Sequence, residues 1–243
     1  MEPLQWRKRI GLITTSGQVV TEPRYYQLAP EGVTFHTSRM LHTGGPEGLI
    51  RMEENAPRAV EELVTADVDA IAYCCTVSGA LRGFERDQAF CDDIWERTGI
   101  PATSTMLACA EALQHLRAGR VVLTSPYVDS HNEHEADYLL EAGITPVLMR
   151  GMGLTSGRQY CRVTPDEIRT FCLDAWQEAY ALEPDALFIS CMNYDAMSVA
   201  ENLEQIIGKP VVTSHSATLW RALSLAHITD PIEGAGCLLR EKR

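Results

Sequence analysis

Residues Asp69–Gly79 read DAIAYCCTVSG, and residues Asp185–Cys191 read DALFISC. Each stretch opens on Asp-Ala, runs through mostly apolar residues and sets a cysteine six positions after the aspartate. The two cysteines, Cys75 and Cys191, are separated by close to half the chain. Short apolar runs that end in a small nucleophilic residue suit buried parallel strands whose carboxyl ends open into loops. One such cysteine is ordinary packing material. The same cysteine at the same place in a repeat points to chemistry.

Working outward, more of the chain falls into two copies. Arg9–Thr15 (RIGLITT) and Arg120–Ser125 (RVVLTS) are predicted first strands. Gly99-Ile100-Pro101-Ala102-Thr103-Ser104 has its counterpart in Gly208-Lys209-Pro210-Val211-Val212-Thr213-Ser214, and each precedes a helix. Helices are expected over Tyr25–Leu28, Glu53–Leu63, Arg86–Thr98, Thr105–Leu116 with Gly119 as its stop, His131–Ala142 and Ile168–Leu182. Further strands are expected over Gly32–Ser38 and Ile144–Leu148. The reading is an α/β protein of two pseudo-symmetric lobes, each a four-stranded parallel sheet flanked by helices. Residues 1–118 form the first lobe and 119–213 the second, with 214–243 crossing back onto the first from a helix that starts at Ala217. Ligands of open parallel sheets bind beyond the carboxyl ends of the strands, so Cys75 and Cys191 are expected on opposite walls of one cleft.

The bulk numbers narrow the function. A net charge of −12 leaves no basic stretch for phosphates, which argues against a nucleic-acid partner. No apolar run is long enough to span a membrane, and MEPLQWRKRIGL lacks the apolar region of an export signal, so a cytoplasmic protein with reduced thiols is expected. The eight cysteines contain no CxxC pair. His131, Glu133 and His134 in HNEH lack the HExxH spacing, so they read as a solvated first helical turn and no metal is expected. Gly151-Met152-Gly153 does not complete a dinucleotide fingerprint, and nothing points to an organic cofactor.

A thiol on each side of a small acid can take a proton from one face and deliver one to the other. Alternatively, one thiolate adds to an electron-poor double bond while the other thiol supplies the proton. Adjacent strand residues face opposite ways, and the repeat pairs Cys75 with Cys191 and Cys74 with Ser190, so Cys75 is the member aimed at the cleft. Thr76 and Ser78 follow it at a strand-to-helix turn, where free backbone N–H groups suit a carboxylate. Asn193 holds the equivalent region after Cys191. Helix capping is the competing role for all three. His215 follows the last strand and is a candidate to bind a carboxylate or assist proton transfer.

The chain resembles the aspartate/glutamate racemase superfamily, and within it the branch of maleate cis-trans isomerases and arylmalonate decarboxylases. The resemblance runs through RIGLITTSG, EPRYYQLAPEGVTFHTSRM, CCTVSG, LTSPYVDSHNEHEADYL, RVTPDEI, ISCMNYDA and GKPVVTSHSATLWRAL. It implies a cofactor- and metal-independent enzyme acting on a small mono- or dicarboxylate from a site between two α/β lobes. In that family racemases and isomerases use a cysteine from each lobe, matching Cys75 and Cys191, whereas the decarboxylases have glycine at the first position. Isomerase or racemase is therefore the expected activity. The alternatives are a decarboxylase working mainly through Cys191 and a non-catalytic small-acid-binding protein. Tyr127 matches a tyrosine that contacts a substrate carboxylate. Gln18 and Gly157 stand where the isomerases carry asparagines, which points to a substrate related to maleate but different from it. A homo-oligomer is expected on general grounds.

Overall fold

The structure is a computed structural model that describes residues 6–241; the outermost ends of the expected lobes, 1–5 and 242–243, lie outside the described residues. The first half runs β1 (Lys8–Thr15), α1 (Thr21–Leu28), β2 (Val33–Met40), α2 (Gly45–Glu54), α3 (Ala56–Thr65) and β3 (Ala70–Cys74). It continues through α4 (Thr76–Arg82), α5 (Phe84–Thr98), β4 (Ala102–Ser104) and α6 (Thr105–His115). The second half runs β5 (Arg120–Ser125), α7 (Asp129–Glu141), β6 (Thr145–Gly151), α8 (Gly157–Tyr160), α9 (Pro165–Ala179) and β7 (Ala186–Ile189). Then come α10 (Ala200–Ile207), β8 (Val211–Thr213), α11 (Ser214–Leu225) and α12 (Cys237–Arg240). Two four-stranded sheets result, ordered β2-β1-β3-β4 and β6-β5-β7-β8, with all pairings parallel.

The duplicated aspartate sets the register of the inner strands. Asp69 accepts from the Arg9 N–H at 2.8 Å and returns its own N–H to the Arg9 carbonyl at 2.8 Å. Asp185 repeats this on Arg120, at 2.9 Å and 2.7 Å. Each clip fastens the start of β3 or β7 to the start of β1 or β5, so the cysteine six residues on emerges at the carboxyl edge of the sheet.

Strand parity then sorts the side chains. Ala70, Ala72 and Cys74 join the core between the lobes, while Ile71, Tyr73 and Cys75 belong to the outer core of the first lobe. Likewise Ala186 and Phe188 face inward, and Leu187, Ile189 and Cys191 face the outer core of the second lobe. The inner layer is built around α6 and α11, which pack on each other. Their contact faces hold Ala108, Ala112, Ala217 and Ala222 together with the Thr218–Thr105 hydroxyl pair at 3.2 Å. Small side chains let these backbones approach and bring the two sheet edges together. Helix α11 also packs on β3 and β4 of the first sheet.

Several elements differ from expectation for local reasons. The helix expected over Glu53–Leu63 is two helices broken at Asn55, because Pro57 suits the first turn of a new helix better than the interior of an old one. Helix α6 stops at His115, and the left-handed residue that turns the chain is Arg117 (φ 56°), not Gly119. Helix α9 ends at Ala179 and tightens into a 3₁₀ turn, Tyr180–Leu182, closed by Glu183 at φ 50°. Helix α11 begins at Ser214, three residues before the expected Ala217, because the Thr213–Ser216 capping box starts it there. Helix α10 is not among the expected helices, although Ala200, Leu203 and Ile207 recur at helical spacing and pack in the outer core of the second lobe.

Candidate active site

Cys75 is the N-cap residue of α4, in extended conformation, and its side chain caps nothing. Neither Thr76 nor Ser78 caps the helix. The Ser78 hydroxyl donates instead to Cys75 Sγ at 3.2 Å, and the Thr76 hydroxyl is buried without a hydrogen bond. Burial pushes the Cys75 thiol up, while the Ser78 hydroxyl and N–H work against it; Glu53 adds to the rise and Arg82 opposes it. Arg82 is locked in place. Its guanidinium donates to Asp87 at 2.8 Å and to Glu53, and lies 4.0 Å over the Phe90 ring.

Cys191 sits on a strained backbone. Its φ of 114° is a region that side chains other than glycine rarely adopt, and such strain is held at functional sites by surrounding bonds. Here the Cys191 N–H donates to the Ser214 hydroxyl at 3.0 Å, and the Asn193 N–H donates to Cys191 Sγ at 3.3 Å. Burial pushes the Cys191 thiol up to about 12; hydrogen bonds from Tyr127 and the Asn193 N–H oppose this, and Glu135 and Cys75 add to it.

Tyr127 is buried, with its ring edge-on to Tyr160 at 5.2 Å and to His131 at 5.5 Å. The chain carrying it passes so close to β6 that a Cβ on Gly151 would lie 2.3 Å from the Tyr127 carbonyl oxygen. Only glycine fits there. The structure therefore brings together Cys75, Thr76, Ser78, Tyr127 and Cys191 at the facing carboxyl edges of the two sheets.

The other three expected site residues have different uses. The Asn193 side chain is a strut: Oδ1 accepts from the Val19 N–H at 2.9 Å, and Nδ2 donates to the Gly157 carbonyl at 2.9 Å and the Gly17 carbonyl at 3.3 Å. It ties the loop after β1 to the start of α8, across the lobes. Gln18 is buried; its Nε2 donates to the Cys74 carbonyl at 3.1 Å, which leaves Oε1 as an unpartnered acceptor. His215 is the second residue of α11 and fully buried. Thr21 donates to the Met192 carbonyl at 3.0 Å, so the 3.2 Å contact from His215 Nε2 is N–H donation to Thr21. Its Nδ1 is then a bare lone pair, and burial lowers the imidazole to about 4. A neutral ring offering a lone pair is a poor partner for a carboxylate.

The HNEH turn is only half solvated. Glu133 and His134 are exposed, but Asn132 points inward with Oδ1 accepting from Ser125 at 2.5 Å, and Glu135 is fully buried one residue on. Among the described residues no three His, Cys, Asp or Glu side chains are grouped to hold a metal, and no helix is long and apolar enough to cross a membrane. Sequence reasoning missed Arg82, Glu135 and Ser214. For Glu135 a signal existed, since it shares a helix face with the buried Leu139 four positions later.

The sequence model of the arylmalonate decarboxylase family matches residues 10–239. The chain belongs to that family. The maleate isomerase of Nocardia farcinica is 27% identical over 96% of each chain. The arylmalonate decarboxylase of Bordetella bronchiseptica is 28% identical over 74% of this chain and 75% of its own. A solved Nocardia farcinica maleate cis-trans isomerase, a cysteine-to-serine mutant with a covalently bound succinylcysteine intermediate, superposes with a TM-score of 0.87 at 26% identity, covering 96% of this chain and 98% of that one. A liganded arylmalonate decarboxylase in which a glycine is replaced by cysteine and a cysteine by serine gives 0.88 at 26% identity, with the same coverage. The two-lobed fold and the family branch read from the sequence are those of this arylmalonate decarboxylase family.

Proposed function

We propose that the protein is a cofactor-independent isomerase of a small unsaturated carboxylate, with a thiol from each lobe doing the chemistry. Cys75 Sγ adds as thiolate to one alkene carbon, and the π pair moves onto the neighbouring carbon beside the carboxylate. The Cys191 thiol protonates that carbon, its S–H pair remaining on sulfur. Rotation about the new single bond follows. The Cys191 thiolate then takes back the proton, the C–S bond breaks with its electron pair returning to Cys75 Sγ, and the geometric isomer leaves with Cys75 restored as thiolate and Cys191 as thiol. On a saturated acid with a stereocentre the same pair would act as base and acid on opposite faces.

The observation that carries this reading is Cys75 itself, a thiol with a hydroxyl aimed at its sulfur. The family relatives named maleate isomerase support it. The reading includes a reducing, cytoplasmic setting for the thiol pair. Cofactor-free decarboxylation of a malonate-type acid is the second reading, favoured by the strained, hydrogen-bonded Cys191 beside Tyr127, which needs no partner thiol to protonate an enediolate.

Proton NMR in D2O over a panel of maleate, amino acids, hydantoins and substituted malonates separates them. Isomerisation predicts the other geometric isomer of an unsaturated acid and racemisation predicts deuterium at the stereocentre, each with the acid retained, and a loss of more than about a thousandfold in both Cys75→Ala and Cys191→Ala. Loss of carbon dioxide, with Cys75→Ala still active, would replace the isomerase by the decarboxylase. Tight binding without turnover by the native protein would leave a binding protein.

A further inference from the structure

Glu135 is a buried carboxyl that the proposed chemistry does not use. It lies on the inner face of α7 with no exposed surface. Its Oε1 accepts from the Ser190 hydroxyl at 2.8 Å, and Ser190 is the residue immediately before Cys191. Its Oε2 has no hydrogen-bond partner, and among the described residues it has no ion pair. A carboxylate in such a setting has neither water nor a counter-charge, so the neutral acid is favoured.

The groups around it are acids as well. A charge on Glu135 would raise Cys109 on α6, Tyr127 in the loop after β5 and Cys191 in the loop after β7. From α5, Asp87 reaches α7 only at Tyr138, one turn further along, and its charge is matched by Arg82. Negative charge on Glu135 and negative charge on Cys191 therefore compete for one dry region.

We infer that Glu135 is a positioning residue for Cys191: uncharged, it permits the sulfur to release its proton, and ionised, it holds the proton on sulfur and stops turnover. The inference rests on Cys191 as proton donor. The balance is simple. When Cys191 protonates the substrate carbon, the S–H bond breaks and its electron pair stays on sulfur. The resulting thiolate is tolerated beside a neutral carboxyl and opposed beside a carboxylate. Burial raises the Glu135 carboxyl to about 8, so the change falls on the alkaline side of neutrality.

The test compares native protein with Glu135→Gln, which keeps an acceptor for Ser190 and cannot ionise. Cys191 alkylation by iodoacetamide, resolved from the other thiols by peptide mass spectrometry, needs no substrate. At a pH of about 6.5, where Glu135 is neutral in the native protein, the two proteins should react at equal rates. At a pH of about 9, Cys191 in E135Q should react about tenfold faster, the equivalent of one pKa unit. With a turned-over acid, the native rate should fall above a pH of about 8, and E135Q should lose that limb. Equal Cys191 alkylation at the higher pH, or a difference of the same size at both, would overturn the inference, since a structural role acts at every pH. If no acid is turned over, the proposed function fails while alkylation still decides the role of Glu135. Should E135Q not fold, Glu135→Leu makes the same comparison.

Discussion

The Ser78 hydroxyl donates to Cys75 Sγ across 3.2 Å. Cys191 has no hydroxyl of this kind from its own loop, and takes its loop hydrogen bond from the Asn193 backbone. The pseudo-symmetric walls therefore differ where it matters. The Ser78 bond favours thiolate at Cys75, while burial and the charge of Cys75 favour thiol at Cys191. A hydrogen bond to a charged group contributes about 1.5–3 kcal/mol. Ser78→Ala should raise the Cys75 pKa by one to two units, by that arithmetic of about 1.4 kcal/mol per unit. Turnover at neutral pH should fall at least about tenfold, and in the Glu135→Gln background, which lacks the alkaline fall, it should recover as pH rises. A pH–rate profile reads this, and a uniform loss at all pH values would show the bond to be structural.

Asn193 makes three bonds across the mouth of the site, to Val19, Gly17 and Gly157. Cys75 and Cys191 are 7% and 3% exposed. Asn193→Ala should lower stability by about 2–3 kcal/mol, roughly 1 kcal/mol for each bond lost. A melting curve should show a drop of about 4–12 °C for a chain of this size. Limited proteolysis should cut first within residues 16–20 or 154–160. Unchanged proteolysis would mean that the loops are held by other contacts.

His215 links stability to pH. Its imidazole is lowered to about 4 by burial, against about 6.5 when unfolded. The unfolded chain therefore binds a proton that the folded chain refuses. Stability is free of this cost above pH 6.5 and loses about 3 kcal/mol as pH falls from there to 4. Urea titrations at a pH of about 7.5 and about 4.5 should show a smaller acid loss in His215→Gln than in the native protein. An equal acid loss in both would remove His215 as the cause.

Gly157 has room for a side chain. A Cβ there would meet only the Asn193 Nδ2, at 3.4 Å. Gln18, the other departure from the isomerase pattern, presents an acceptor because its amide N–H is held by Cys74. Gly157→Asn with Gln18→Asn should restore amide donors and raise maleate turnover, by about tenfold for one well-made hydrogen bond to a carboxylate. No gain would mean that the departures from the isomerase pattern lie outside substrate selection.

Asp69 and Asp185, Cys75 and Cys191, and the two GxP-type turns were enough to read two parallel-sheet lobes, because a repeat reports topology without knowledge of contacts. Strand parity, a property of the local backbone, likewise put Cys74 and Cys75 on opposite faces of the sheet, as the structure does. Other features needed the assembled lobes. The Asn193 strut joins residues more than 170 positions apart, and His215 is turned neutral by packing against the first lobe. The unpaired Glu135 becomes a neighbour of Cys191 only when α7 closes on the carboxyl end of β7. Sequence by itself thus determined the fold and the repeat and nominated the two thiols, since these follow from residue type and local period. Only the tertiary structure decided which groups surround each thiol and which side chains brace the site, because charge, burial and hydrogen-bond geometry exist only once distant segments share one dry interior.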